Sequence, residues 1–126
     1  NDRHGHAAGD WVLGRIGRLI AGSVRASDVV ARVGGDEFVV LLDVATPGHA
    51  VEVAERIRTA LARTHLLQGQ MIRVSASIGV ATFPQDGQDS EQLSRAADRA
   101  MYRAKKAGGN RSRTAAPAEA EAGDQA

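Results

Sequence analysis

The sequence predicts an α+β fold on a split β-α-β plan, from three observations. First, two apolar runs, residues 28–33 and 38–42, flank Gly34-Gly35-Asp36-Glu37, the signature of a tight hairpin with a glycine-bearing tip. Second, Ile72, Val74, Ala76, Ile78 and Val80 alternate with Arg73, Ser75, Ser77 and Gly79, which predicts a strand with one face on a core. Third, apolar residues recur at helical spacing over residues 8–24, 50–63 and 90–107. The order helix, hairpin, helix, strand, helix is that of a βαββαβ sandwich short of its first strand, with a helix appended. Both hairpin strands are too apolar for an exposed ribbon, so one of them needs a further neighbour, and nothing before Ala8 supplies it. The chain is therefore expected to be a piece of a longer protein that lacks one strand of its fold. An initial Asn1 in place of methionine points the same way.

Residues 1–6 are polar and read as a loop. The first helix, 8–24, carries Val12, Leu13, Ile16, Leu19, Ile20 and Val24 on one stripe. Its Gly14, Gly17 and Gly22 each weaken it by about 1 kcal/mol relative to alanine, so packing must hold it in place. Residues 25–28 link it to the hairpin, whose tip is expected to turn on the freedom of its two glycines. Thr46-Pro47-Gly48 breaks the second strand. The helix over 50–63 sets Val53, Ala54, Ile57, Ala60 and Leu61 against Glu52, Glu55, Arg56, Thr59 and Arg63. Residues 84–87 are a turn cluster. The last helix opens on Asp89 or Ser90 as N-cap, buries Leu93, Ala96, Ala97, Ala100, Met101 and Ala104, and closes at Gly108-Gly109. Trp11, Tyr102 and Phe38 read as core or packing residues. From Arg113 the Ala/Glu/Gly/Pro-rich sequence has no periodicity and reads as disordered.

Composition narrows the function. At 126 residues the chain suits one domain, and 43% hydrophobic with 25% charged residues is ordinary for a globular protein. A net charge of +1 gives no global case for nucleic acid or acidic membranes. The absence of cysteine excludes disulfides and thiolate chemistry. No apolar run is long enough to span a bilayer, and no signal peptide is visible. His4, His6, His49 and His65 have no metal-site spacing.

The hairpin tip carries the chemistry. Asp36 and Glu37 stand side by side at the lip of a buried sheet, where two carboxylates repel unless a cation or proton lies between them. Taken alone, such a tip is more often a polar turn than a metal site.

The surrounding residues reverse that weighting. Gly34-Gly35-Asp36-Glu37-Phe38 spells the motif of the GGDEF family of diguanylate cyclases, and residues 1–10 resemble the family's ND-x-x-GH-x-x-GD segment. Residues 25–28, Arg-Ala-Ser-Asp, resemble its R-x-x-D inhibitory motif. Residues 74–81 resemble its V-S-x-G-V-A strand, and residues 97–105 its AD-x-ALY-x-AK helix. The resemblance covers residues 1–111, taken as the domain, with 112–126 as a disordered tail. It implies a ferredoxin-like, nucleotide-cyclase-like βαββαβ sandwich. It also implies a cytoplasmic enzyme that condenses two GTP into cyclic di-GMP and two pyrophosphates in a face-to-face homodimer, under a regulatory input domain in the parent protein. Mg²⁺ (or Mn²⁺) is the implied cofactor. No nucleic-acid polymer and no direct membrane contact by this domain are expected, although another domain could anchor the parent.

By that resemblance Asp36 binds the metal, and Glu37 assists there or helps to deprotonate the 3′-hydroxyl. Asn1 and Asp10 read guanine, Gly35 lets the triphosphate approach the backbone, and Lys105 contacts the phosphates. Arg25 and Asp28 bind cyclic di-GMP as feedback inhibitor, with Arg56 as a second contact. Each has a plainer reading. Asp10 suits the first turn of a helix, and Arg25 with Asp28 suits a solvated turn pair. Arg56 suits a charged helix face, and Lys105 a last helical turn.

Two departures matter. The family's D-x-D-x-F-K strand precedes the Asn-Asp pair and is absent here, so this fragment alone is expected to be inactive. Where the family usually has Gly-Arg-Asn, the chain has Gly108-Gly109-Asn110, losing a phosphate-binding arginine unless Arg111 or Arg113 replaces it. The rival reading is a degenerate module that senses cyclic di-GMP or GTP without turnover. RNA binding on the sheet is disfavoured, because only 3% of residues are aromatic and stacking platforms are lacking.

Overall fold

The computed structural model describes residues 2–22, 24–43, 46–62, 65–67, 69–72 and 75–115, with the side chains of 2–10, 65–67, 70 and 72 outside that description. Among these described residues three helices and six strands follow in order. They are α1 (Asp2–Ala21), β1 (Val29–Arg32), β2 (Glu37–Asp43), α2 (Pro47–Ala62), β3 (His65–Leu67), β4 (Gln70–Ile72), β5 (Ser77–Phe83), α3 (Ser90–Lys106) and β6 (Arg111–Thr114). The main sheet runs β1-β2-β5-β6; β1 is antiparallel to β2, and β2, β5 and β6 are mutually parallel.

The sheet is covered on both faces. Val30, Phe38, Val40, Leu42, Ile78 and Val80 face α1 and α2, where they meet Val12, Ile16, Ile20, Val53, Ile57 and Leu61. Ala31, Val39, Leu41, Ala81 and Phe83 face α3 through Leu93, Ala96 and Ala97. Because β2 and β5 are buried on both sides, their sequences are near-continuous apolar runs. The second neighbour that β2 requires is β5.

Helix α3 lies almost against the β5 backbone. A Cβ on Gly79 would overlap the Ala97 carbonyl oxygen and stand 2.6 Å from Met101 N, so only glycine fits beneath the helix. Asp89 caps α3 by accepting a hydrogen bond from Gln92 N at 2.8 Å. Gly108 (φ 127°) and Gly109 (φ 70°) end it in the left-handed conformations that favour glycine, and Gly109 N donates to Ala104 O at 3.0 Å.

Several expectations are corrected. Residues 2–6 are the start of α1 and not a loop, and α1 ends at Ala21 rather than at Val24. The strand expected over 72–80 divides: Ile72 ends a separate β3–β4 ribbon, and β5 begins only at Ser77. Ser77 and Gly79 are buried, not solvent-facing, because α3 covers that side. Residues 111–114, partly assigned to the tail, form β6, which docks beside β5 and buries Ser112 with its hydroxyl donating to Ala54 O at 2.7 Å. Residues 116–126 lie outside the described residues. Phe38 is in the core, but Trp11 and Tyr102 are exposed and sit under the cations of Arg15 and Lys106 at 5.5 and 5.6 Å.

Candidate functional site

Residues 33–36 connect β1 to β2. Val33 N donates to Glu37 O at 2.8 Å, and Arg32 Nε donates to the carbonyls of Gly34 (3.2 Å) and Gly35 (3.0 Å). From the adjoining strand, Ser77 N donates to Asp36 O at 2.8 Å. The loop is thus tied down by an arginine of its own strand and by the start of β5. Neither tip glycine has positive φ, so the expected reason for them is wrong. Gly34 leaves room for the Glu37 carboxylate, whose Oε1 would stand 2.5 Å from a Cβ there. At Gly35 a Cβ would meet nothing within 4 Å, so packing does not demand glycine.

Glu37, Ser77 and Arg111 are aligned across β2, β5 and β6, placing the hairpin tip at the amino ends of the three parallel strands. The carboxyl end of α3 arrives there too. From its last turn, Lys105 Nζ reaches Glu37 Oε2 at 2.6 Å. The hydrogen bond and charge of Glu37, with a smaller contribution from Asp36, hold the Lys105 ammonium above the usual lysine range. A helix carboxyl terminus also favours a cation. The structure therefore brings together Asp36, Glu37, Gly35 and Lys105 from the predicted set.

The others stand apart. Asn1 lies outside the described residues, and Asp10 is in α1 with its side chain outside the description. Arg25 and Asp28 precede β1, at the end of the β1–β2 ladder opposite the tip, roughly 13 Å away at about 3.3 Å per residue. Asp28 also supports the fold, because its carboxylate accepts from Arg25 N at 2.7 Å and from Asp43 N at 2.8 Å, pinning the link to the end of β2. Arg56 is exposed on α2. Of the two arginines that follow Gly109, Arg111 donates from Nε to Gly109 O at 3.1 Å, and Arg111 and Arg113 line a groove with Arg58.

Sequence reasoning missed the Arg32 lock and the Lys105–Glu37 pair. An arginine immediately before a Gly-Gly pair, with donors to spare for loop carbonyls, was the available signal for the first. The second is 68 residues apart in sequence and needed the fold.

Among the described residues no group of three or more His, Cys, Asp or Glu could enclose a metal. Asp36 and Glu37 nevertheless fit Mg²⁺, a hard cation held by one or two carboxylates with substrate phosphates completing its shell. No helix among the described residues is long and apolar enough to cross a membrane.

A mixed four-stranded sheet with three helices and a carboxylate-tipped hairpin at its edge defines an α+β domain of the nucleotide-cyclase-like class. Comparison with known proteins makes this specific. The family described as Diguanylate cyclase, GGDEF domain, matches residues 1–111, and the chain belongs to it. It is 42% identical over 110 residues to the bifunctional diguanylate cyclase/cyclic di-GMP phosphodiesterase MucR of Pseudomonas aeruginosa, covering 87% of this chain and 16% of that protein. It is 39% identical over 112 residues to diguanylate cyclase A of Treponema denticola, covering 88% of this chain and 30% of that one. The chain thus spans less than a third of either relative. Among solved structures, the GGDEF domain of TpbB (YfiN) from Pseudomonas aeruginosa is similar at a TM-score of 0.75 and 41% identity, over 92% of this chain and 69% of that one.

Proposed function

We propose that this domain condenses two GTP molecules into cyclic di-GMP within its parent protein. The observation that carries the reading is the convergence of Asp36, Glu37 and Lys105 beside the open backbone of Gly35. In the proposed reaction each GTP 3′-hydroxyl attacks the α-phosphorus of the other, forming a phosphodiester as the bond to pyrophosphate breaks. Two domains face each other to do this. Mg²⁺, when bound, neutralises charge on the triphosphate. Asp36 and Glu37 would supply its carboxylates, Glu37 also takes the hydroxyl proton, and Lys105 holds phosphate as a point charge. Gly35, where a Cβ would meet nothing within 4 Å, admits the triphosphate to the loop amides. Asn1 and Asp10 read the guanine edge. Arg25, Asp28 and Arg56 bind the product and restrain the enzyme from the far end of the hairpin. The domain works in the cytoplasm under a regulatory input domain.

The test is to incubate the parent protein with GTP and Mg²⁺ and to quantify cyclic di-GMP. Product that disappears in Asp36→Asn and Glu37→Gln supports the cyclase. GTP binding without turnover favours a sensor instead, the reading that Gly109 in place of the usual arginine keeps in play.

A further inference from the structure

A second cationic feature lies where α2 meets the edge strand β6. Arg58 and Ala62 of α2, with Asn110, Arg111 and Arg113, line an open groove of about 270 Å³. The hydroxyl of Ser112, donating to Ala54 O at 2.7 Å, fastens β6 to α2 along this seam. Each guanidinium is steadied by an internal acceptor. Arg111 Nε donates to Gly109 O at 3.1 Å, Arg113 Nη1 to Ser112 O at 3.2 Å, and Arg58 to Glu55 Oε1 through Nε (3.1 Å) and Nη2 (2.9 Å). A guanidinium has five N–H donors, so each keeps donors beyond those used. The side chains are partly pre-ordered, which lowers the entropy lost when they grip a ligand.

Charge decides what the groove takes. Among the described residues that line it are three arginines and no carboxylate, and Glu55 pairs with Arg58 alone of the three. A phosphoryl group carries about −1.5 to −2 at neutral pH and offers three strong acceptor oxygens, whereas a single carboxylate offers half that charge. Arginine forks also match phosphate oxygens in bidentate geometry. We propose that the α2–β6 groove, through Arg58, Arg111 and Arg113, is a binding site for a phosphoryl dianion, separate from the carboxylate-tipped hairpin. The ligand is a free phosphate or pyrophosphate ion, or a phosphate carried on an organic body.

Titration of this chain with inorganic pyrophosphate in the absence of divalent metal, followed calorimetrically and by thermal unfolding, tests the assignment. Saturable binding that weakens as salt is raised is expected. Arg58→Gln and Arg113→Gln each weaken it about tenfold or more, the scale of a lost charge-assisted hydrogen bond. Their ligand-free unfolding temperatures stay close to the parent value, because Arg58 is exposed and half-buried Arg113 donates only to the carbonyl of its own neighbour Ser112. Lys106→Ala, an exposed cation of α3 given no part in either site, leaves the affinity unchanged. Loss of binding in Lys105→Ala with retention in the arginine variants would place the anion at the hairpin and overturn the proposal. Absence of saturable binding at millimolar pyrophosphate, or a preference for oligoglutamate over pyrophosphate, overturns it too. Comparison of inorganic phosphate with a nucleoside monophosphate then assigns the source, the tighter of the two being the natural form.

Discussion

Lys105 Nζ donates to Glu37 Oε2 at 2.6 Å, so the cation at the end of α3 and one carboxylate of the hairpin satisfy each other when no ligand is present. A divalent cation that uses Glu37 must compete with this ammonium. Lys105→Ala is therefore expected to tighten Mn²⁺ binding about two- to fivefold without nucleotide, the range of a half-exposed ion pair, while weakening GTP. Calorimetry with each ligand separately checks both directions. Because the Lys105 ammonium is held above its ordinary value of 10.5, the pair's contribution is complete below that pH and is lost as pH rises through the raised value. Neutral pH leaves it intact.

The two glycines at positions 35 and 79 should respond oppositely to alanine. Gly79→Ala drives a methyl into the Ala97 carbonyl and Met101 N, and is expected to lower stability by about 1–3 kcal/mol or more. Gly35→Ala meets nothing within 4 Å at a φ that alanine tolerates, so its unfolding temperature should barely move. Its effect should fall on GTP affinity in the parent protein. Thermal unfolding beside GTP titration separates the two.

Asp28 serves the fold as well as the proposed inhibitory site. Asp28→Ala hands the exposed N–H groups of Arg25 and Asp43 to water and is expected to cost about 0.5–1.5 kcal/mol, the net worth of an ordinary hydrogen bond. Arg25→Ala keeps both bonds, since Arg25 contributes its backbone N–H. Arg25→Ala should therefore abolish cyclic di-GMP binding at unchanged stability, whereas Asp28→Ala changes both in a denaturant melt.

Asp86 provides a pH signature. Burial pushes its carboxyl above the usual 3.8, against the bond it accepts from Thr82 N at 2.8 Å. A raised carboxyl contributes stability below its unfolded value that is lost as pH rises through the folded one. Asp86→Asn retains an acceptor for Thr82 N without the charge. The variant should match the parent near pH 3 and exceed it by a fraction of a kcal/mol at pH 6 and above, as read from paired melting curves.

Legibility followed periodicity. The hairpin, α2 and α3 were readable because Val39-Val40-Leu41-Leu42, Val53/Ile57/Leu61 and Leu93/Ala97/Met101 repeat at the spacing of their elements. The β3–β4 ribbon was not, because His65–Leu67 and Gln70–Ile72 are three residues each, too short for a period to show. β6 escaped because Arg-Ser-Arg-Thr is polar, and its single buried hydroxyl is satisfied by α2. The start of α1 escaped because His4, Gly5 and His6 are poor helix formers. At the site, Asp36, Glu37 and Lys105 were legible one by one through family resemblance. That Glu37 and Lys105 touch, and that Asp28 staples β2, are tertiary facts without a local pattern.

The seat of α3 on the bare backbone at Gly79 has a consequence for the site itself. Helix-to-sheet separation is set there by an absent side chain, and Lys105 lies just over one turn beyond Met101 on the same rigid rod. Any residue larger than glycine at that point would act as a shim, lifting the helix and drawing its terminal ammonium away from the hairpin carboxylates. The reach of the site's cation is thus gauged by the one β5 residue that contributes no side chain at all.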